Sequence, residues 1–170
     1  MNVTQGIRAR RSVRKYQAGK TIPQEHIDLM LEAAMCAPSA RNIRPWSFIV
    51  IESAQVRKQI TKDIGGNWFL NDASLAIVVC GDPASMPDGP KEGFWPQDCA
   101  AATQNLLLQA LELGYGTCWC GVHPGTRTPV LTRILNLQDV VPLSLIAVGV
   151  PSEAPAAKGF YDKTKVRYVR

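Results

Sequence analysis

Hydrophobic residues recur along this chain in two rhythms, one helical and one strand-like. Ile27, Met30, Leu31, Ala34 and Met35 fall at i, i+3, i+4, i+7 and i+8, the spacing that turns one helix face toward a core. Thr21 and Gln24 stand at capping-box spacing, with Pro23 placed for the first turn. Pro38 closes this helix, because the residue before a proline avoids the helical region. Further helices are expected over Val3 to Arg8, over Ala54 to Asp63 up to the break at Gly65-Gly66-Asn67, and over Gly125 to Leu135. Gln97 to Leu113 differs from these in carrying apolar residues on every side, among them Ala102, Leu106, Leu107, Leu108 and Leu111. A helix apolar all round is the hidden axis of a fold or a subunit interface, and Gly114 is its natural stop.

Short continuous apolar runs predict buried strands at Phe48 to Ile51, Leu75 to Cys80, Thr117 to Cys120 and Leu143 to Val150. These runs are far too short to span a membrane, and Met1 to Gln5 is not followed by the apolar stretch of a signal peptide. No membrane association is expected. The four prolines and three glycines between Gly81 and Pro96 predict a loop, at a length often tied to function. After an extended, Ala- and Pro-rich piece from Pro151 to Gly159, Lys165 to Val169 alternates like a strand. It has no evident slot in its own sheet, so pairing on a second copy, an obligate dimer, is the expectation.

Charge sharpens the picture. The chain has 170 residues and a net charge of +5, with 19% charged and 46% hydrophobic residues, the balance of a soluble globular protein. The excess sits at the ends: five of the nine residues from Arg8 to Tyr16 are cationic, and the tail holds Lys158, Lys163, Lys165, Arg167 and Arg170. This favours a local anion site over a broad basic face. Nucleic acid is not expected, since aromatics do not interleave with the cations and only Tyr16 lies near. An arginine fork matches phosphate well, because its planar donors meet two oxygens at once. The five cysteines, at 36, 80, 99, 118 and 120, are an odd and scattered set, which suits a reducing cytoplasm better than a disulfide framework. Cys118-Trp119-Cys120 fits neither a zinc pair nor a redox CxxC and reads as two cysteines packed on one strand face; no residue cluster has metal-ligand spacing.

Two further segments invite a ligand. In Pro38-Ser39-Ala40-Arg41-Asn42-Ile43-Arg44-Pro45-Trp46, small residues after a helix allow close backbone approach, and Ser39 and Asn42 both donate and accept. The plainer reading is a helix-to-strand turn with a core tryptophan, since nothing nearby would activate Ser39 as a nucleophile. In Gly114 to Pro124, glycines bracket a short strand whose following loop offers backbone N–H groups, or simply lead from a helix into the core. His26 reads as a surface residue, whereas His123 falls in this last loop.

Taken in order, Arg10-Arg11-Ser12-x-Arg14-x-Tyr16, Pro38-Ser39-Ala40-x-Asn42-x-x-Pro45-Trp46 and Gly116-Thr117-Cys118-Trp119 ahead of Gly121 resemble the nitroreductase family of FMN-dependent oxidoreductases across nearly the whole chain. The resemblance implies an α+β fold, three layers α-β-α about a central, mostly antiparallel sheet, with residues 1–170 as one FMN-binding domain. It also implies a homodimer whose C-terminal extension, 151–170, is exchanged with the partner. By the same resemblance Arg10 and Ser12, with Arg11 beside them, bind the FMN phosphate and ribityl chain. Arg14 reaches the pyrimidine edge of the flavin, where negative charge appears on reduction, so a fixed cation there tunes it. Pro38, Ser39, Ala40 and Asn42 lie along the flavin of the other subunit. Cys120, Gly121 and Val122 bring backbone groups to flavin N5, Lys165 and Arg167 complete the phosphate pocket, and Asn71 matches a ribityl contact. Cys120 stands where many larger members carry an acidic residue, which bears on access over the flavin.

The activity implied is hydride transfer from NAD(P)H to non-covalently bound FMN, then to a nitroaromatic, quinone or similar electron-poor acceptor in ping-pong order. No side chain is expected to act as acid or base in the hydride step, and no metal. The alternatives are other flavin chemistry on the same fold, such as dehalogenation or flavin fragmentation, and a non-catalytic FMN-binding redox protein.

Overall fold

The computed structural model describes residues 1–86, 93–156, 159 and 161–170. Four strands build one sheet: β1 (Trp46–Ile51), β2 (Leu75–Gly81), β3 (Gly116–Gly121) and β4 (Val141–Gly149). Their order is β1-β2-β4-β3, and each neighbouring pair runs antiparallel. β2 and β4 occupy the middle and are apolar on both faces, as their continuous hydrophobic runs require. Against one face lie α2 (Gln24–Met35) and α4 (Trp95–Glu112), packing Ile27, Met30, Ala34, Leu106 and Leu107 onto Ile77, Val79 and Ile146. Against the other lie α3 (Ala54–Ile64) and α5 (Arg127–Ile134), with Ile60 and Leu131 meeting Val78, Leu145 and Ala147. The expected α+β, three-layer architecture with an antiparallel sheet is what the chain adopts.

Details of the elements differ from the sequence pattern for local reasons. The expected capping box at Thr21 does not form: α2 starts after Pro23, which has no side-chain cap, and Gln24 donates instead to Asp28 Oδ1 at 2.8 Å. A capping box forms at α1 (Val3–Ala9), where Asn2 and Gln5 satisfy each other's backbone. β1 begins two residues earlier than its apolar run, at Trp46, because Trp46 pairs with Gly81 across β2. α4 likewise starts at Trp95 rather than Gln97, with Pro96 tolerated in a first turn whose N–H groups have no helical partner. Residues 87–92 of the expected loop over Gly81 to Pro96, and Lys158 of the basic tail, lie outside the described residues.

The C-terminal segment does not pair as a strand within the chain. Lys163–Lys165 make a 3-10 turn, capped by Asp162 Oδ1 accepting from the Thr164 N–H at 3.0 Å. Val166 is extended but exposed. Strand conformation gains its stability from a ladder of bonds to a neighbour. Here β2 and β4 have neighbours on both sides, and the tail pairs with neither edge strand of its own sheet, β1 or β3, the latter met in part by the N-terminal segment.

Candidate active site at the outer edge of β3

The arginine-rich segment is held against β3 by its backbone. Ser12 forms a parallel bridge with Thr117, and Val13 donates its N–H to the Thr117 carbonyl at 2.8 Å. Farther on, Tyr16 bridges Pro151, Gln17 N–H donates to the Val150 carbonyl at 2.9 Å, and the Tyr16 hydroxyl donates to the Val13 carbonyl at 2.7 Å. Two glycines permit this close seating. A Cβ on Gly116 would lie 2.8 Å from the Val13 side chain, and one on Gly149 would lie 2.9 Å from the Tyr16 ring.

This docking leaves most of the β3 edge open. Backbone groups of alternate residues in an antiparallel pair point to the partner strand, and Val122 N–H donates to the Leu143 carbonyl of β4. Thr117, Trp119 and Gly121 therefore point outward, the first of them to Val13. Gly121 is exposed, with nothing within 4 Å of where its Cβ would be, and its carbonyl accepts from Arg127 at 3.1 Å. Val122 is buried and its carbonyl accepts from the Thr128 hydroxyl at 3.2 Å. The Trp119 and Gly121 N–H groups thus face outward beside the cationic segment.

The side chains of that segment divide between two places. Arg10 and Arg11 line a cleft of about 240 Å³, together with Leu111, Tyr115, Thr117 and Glu153. Ser12 and Arg14 lie on the other side of β3, close enough to Cys118 to favour its thiolate. Cys118 and Cys120 lie buried on that face. The Cys118 thiol is drawn down to about 7, first by the hydrogen bond from Cys120, then by the charge of Arg14 and the bond from Ser12. The same Cys118–Cys120 bond, with burial, pushes Cys120 up. Burial likewise raises Tyr16.

The second predicted segment lies elsewhere in the chain. Ala40–Asn42 form a 3-10 turn in which Arg41 and Asn42 have φ of 52° and 55°, with Arg44 at 56°. Ser39 Oγ accepts from the Arg44 N–H and Asn42 Oδ1 from Arg44 Nε, both at 2.9 Å. Pro38 is exposed beside this turn. The Ala40 N–H donates to Asp98 Oδ1 at 3.0 Å, near the start of α4. Arg10 shares its cleft with Leu111, at the far end of the same helix, roughly 20 Å along the axis. A single chain therefore does not bring the Pro38–Asn42 turn to the Arg10 cleft. Lys165 and Arg167 are exposed in the tail, and neither lines that cleft.

Sequence reasoning missed three residues that shape this region. Glu153 Oε1 accepts the Arg14 N–H at 2.6 Å, Asp98 holds Ala40, and Trp95 meets His123 at a tilt of 52° with ring centroids 4.8 Å apart. Each pairing is far apart in sequence, with no local signal. His26, expected at the surface, instead meets the Tyr115 hydroxyl at 2.8 Å through Nδ1. Among the described residues no group of His, Cys, Asp or Glu is placed to hold a metal ion, and no helix is long and apolar enough to cross a membrane.

The sequence model of the Nitroreductase family matches this chain over residues 7–96 and 69–150. The chain belongs to the nitroreductase family. Among curated members, the protein of Methanothermobacter thermautotrophicus named "Putative NADH dehydrogenase/NAD(P)H nitroreductase" is 40% identical over 168 residues, covering 98% of this chain and 86% of that one. A crystal structure of a protein of the same name from Parabacteroides distasonis superimposes with a TM-score of 0.90 at 34% identity, covering 97% of this chain and 96% of that one. The FMN-dependent nitroreductase of Clostridium difficile gives 0.87 at 28% identity, covering 99% of each chain. Membership makes this protein an oxidoreductase and matches the architecture found here.

Proposed function

We propose that this protein is an FMN-dependent oxidoreductase that takes hydride from NAD(P)H and delivers it to nitroaromatic, quinone or similar electron-poor acceptors in ping-pong order. The observation that carries this reading is the docking of Ser12 and Val13 on Thr117, which sets a cationic segment beside outward-facing N–H groups of β3. The donor set fits FMN: guanidinium forks in a cleft suit a phosphate, and backbone donors beside the open space at Gly121 suit a flat, hydrogen-accepting ring edge. When bound, FMN would supply the hydride-accepting atom, N5.

The chain's own residues bind and orient. Arg10, with Arg11 and Ser12, holds the phosphate and ribityl end, and Arg14 sets positive charge at the pyrimidine edge, where it favours electron-rich states; FMN then lies across the outer edge of β3, with Arg10 and Arg11 on one side of it and Ser12 and Arg14 on the other. Of Cys120, Gly121 and Val122, Gly121 presents its N–H to the redox-active edge, while Cys120 and Val122 turn their backbone toward β4 and hold the loop in place. Residues 1–170 form one FMN-binding domain that works as a homodimer. Pro38, Ser39, Ala40 and Asn42 serve the flavin of the partner, and the tail from 151 to 170 crosses over so that Lys165 and Arg167 complete the partner's phosphate pocket. The distance between the Pro38–Asn42 turn and the Arg10 cleft supports a site shared between two chains. So do the exposed apolar residues Tyr161, Val166, Tyr168 and Val169 along the tail. Five free cysteines support a cytoplasmic location.

The test is colour and its loss. Purified protein, or apoprotein given FMN, is expected to be yellow and to bleach under anaerobic NADPH or NADH, with colour restored by a quinone or nitroaromatic. Protein that takes up no FMN ends the reading; yellow protein that neither nucleotide bleaches is a carrier rather than a reductase. Size-exclusion with light scattering is expected to give twice the 18.6 kDa chain mass.

A further inference from the structure

The chain buries one carboxylate among its described residues, and it lies in the first turns of α4 rather than at the β3 edge. Asp98 keeps 6% of its surface exposed. Its Oδ1 accepts the Ala40 N–H at 3.0 Å, while Oδ2, itself shielded from solvent, has no hydrogen-bond partner. A buried carboxylate is costly unless its oxygens are bonded, so the placement of this one depends on the bond to Ala40.

The turn it holds is strained. Arg41, Asn42 and Arg44 all have positive φ, a region that side-chain-bearing residues adopt only where their surroundings impose it. The bonds from Arg44 to Ser39 and Asn42 shape the turn internally but do not fix its place on the body of the protein. The bond to Asp98 does, because α4 is packed into the core through Cys99, Ala102 and Leu106. One helical turn before Asp98, the buried Trp95 lies against His123, which follows Val122 in the loop after β3.

We propose that Asp98 is a positioning residue that sets where the Pro38–Asn42 turn stands relative to the loop after β3, with the start of α4 as the rigid piece between them. The proposal rests on the flavin reading given above, in which both segments face a flavin. Asp98 acts through Ala40, not on the flavin itself.

FMN titration of the apoprotein, followed by flavin fluorescence quenching, tests this on Asp98→Ala, Asp98→Asn, Ala40→Pro and the Asp98→Ala/Ala40→Pro double variant. Asparagine keeps an acceptor where Oδ1 is. Proline at 40 replaces the N–H with its ring Cδ, so Asp98 Oδ1 loses its donor and is pushed away, and Ser39, at φ −137° and ψ 153°, already has the extended backbone needed before proline. Asp98→Ala and Ala40→Pro are each expected to weaken FMN binding roughly 10- to 100-fold, the worth of a hydrogen bond to a charged group. The double variant should be no worse than either single one. Asp98→Asn should bind nearly as wild type and keep the visible circular dichroism of the saturated complex, which Asp98→Ala alters. Should Asp98→Ala fail to fold, Ala40→Pro and Asp98→Asn still decide the matter. Asp98→Ala or Ala40→Pro binding FMN with wild-type affinity and dichroism overturns the proposal, even with a lowered melting temperature, as do additive effects in the double variant. Wild-type apoprotein that binds no FMN removes the flavin reading, a separate result from a wild type that binds and a variant that binds equally well.

Discussion

Val13 donates its backbone N–H to the carbonyl of Thr117 at 2.8 Å, and this bond turns an N-terminal run of cations into part of a sheet edge. The run is otherwise a dense set of like charges that repel one another. Fixing its backbone on β3 points Arg10 and Arg11 into a cleft and leaves Arg14 against Cys118 on the strand's other face. Charge that repels in the free chain is thereby held in fixed places at one sheet edge, and several consequences can be measured.

Arg10→Ala should weaken FMN retention by about 1.5–3 kcal/mol, the contribution of a hydrogen bond to a charged group. Equilibrium dialysis against FMN checks it. Unchanged affinity would put the phosphate elsewhere.

Gly116→Ala should damage the same site from behind. Its Cβ would meet Val13 at 2.8 Å and Pro151 at 3.1 Å, so the cationic segment must lift from β3. Overpacking of this kind costs about 1–3 kcal/mol. Urea unfolding should show that loss, and FMN binding should weaken with it; a variant as stable and as yellow as wild type would mean the segment is not seated by that contact.

Cys118 should make stability depend on pH in a defined window. Its thiol is lowered in the folded protein from 9.0 to about 7, mainly by the Cys120 hydrogen bond and the Arg14 charge. A lowered folded value gives stability that is fully present above 9 and lost as pH falls through 7. Cys120, raised in the folded state, opposes this only above its unfolded value. The stability advantage of wild type over Cys118→Ser should therefore grow between pH 7 and 9. Urea midpoints for both proteins across that range read it directly, and a flat difference would show that Cys118 stays protonated.

Arg57 offers a contrast, a cation used for structure. It is buried in α3 and donates to the carbonyls of Glu52 at 2.6 Å, Leu70 at 3.2 Å and Ile51 at 3.5 Å, and burial lowers its pKa. Arg57→Met should cost about 2–4 kcal/mol by leaving carbonyls unpaired, with FMN affinity per folded molecule unchanged. Denaturant unfolding with an FMN titration separates the two effects.

The helices and strands were legible because their signals are local. The stripe from Ile27 to Ala34 and the apolar runs of β2 and β4 each record one element's own burial, and the glycine at 114 marks a stop that needs no distant partner. The Thr21 capping box was misleading for the same reason: its residue types are right, but Pro23 takes the cap position and Gln24 turns to Asp28. Of the candidate site, the sequence order singled out its segments but not what the fold sets beside them. Nothing near Arg14 announces Glu153, and nothing near Ala40 announces Asp98.

What the chain's sequence determined by itself was therefore the set of elements, the residues facing the core and the concentration of charge in the arginine run. Only the tertiary structure decided where that run lies and what shares its surroundings, because strand order and register bring together residues more than a hundred positions apart. It also decided that Lys165 to Val169 forms no strand within its own chain, since alternation makes a segment fit to be a strand but a strand exists only once it is brought beside a neighbour.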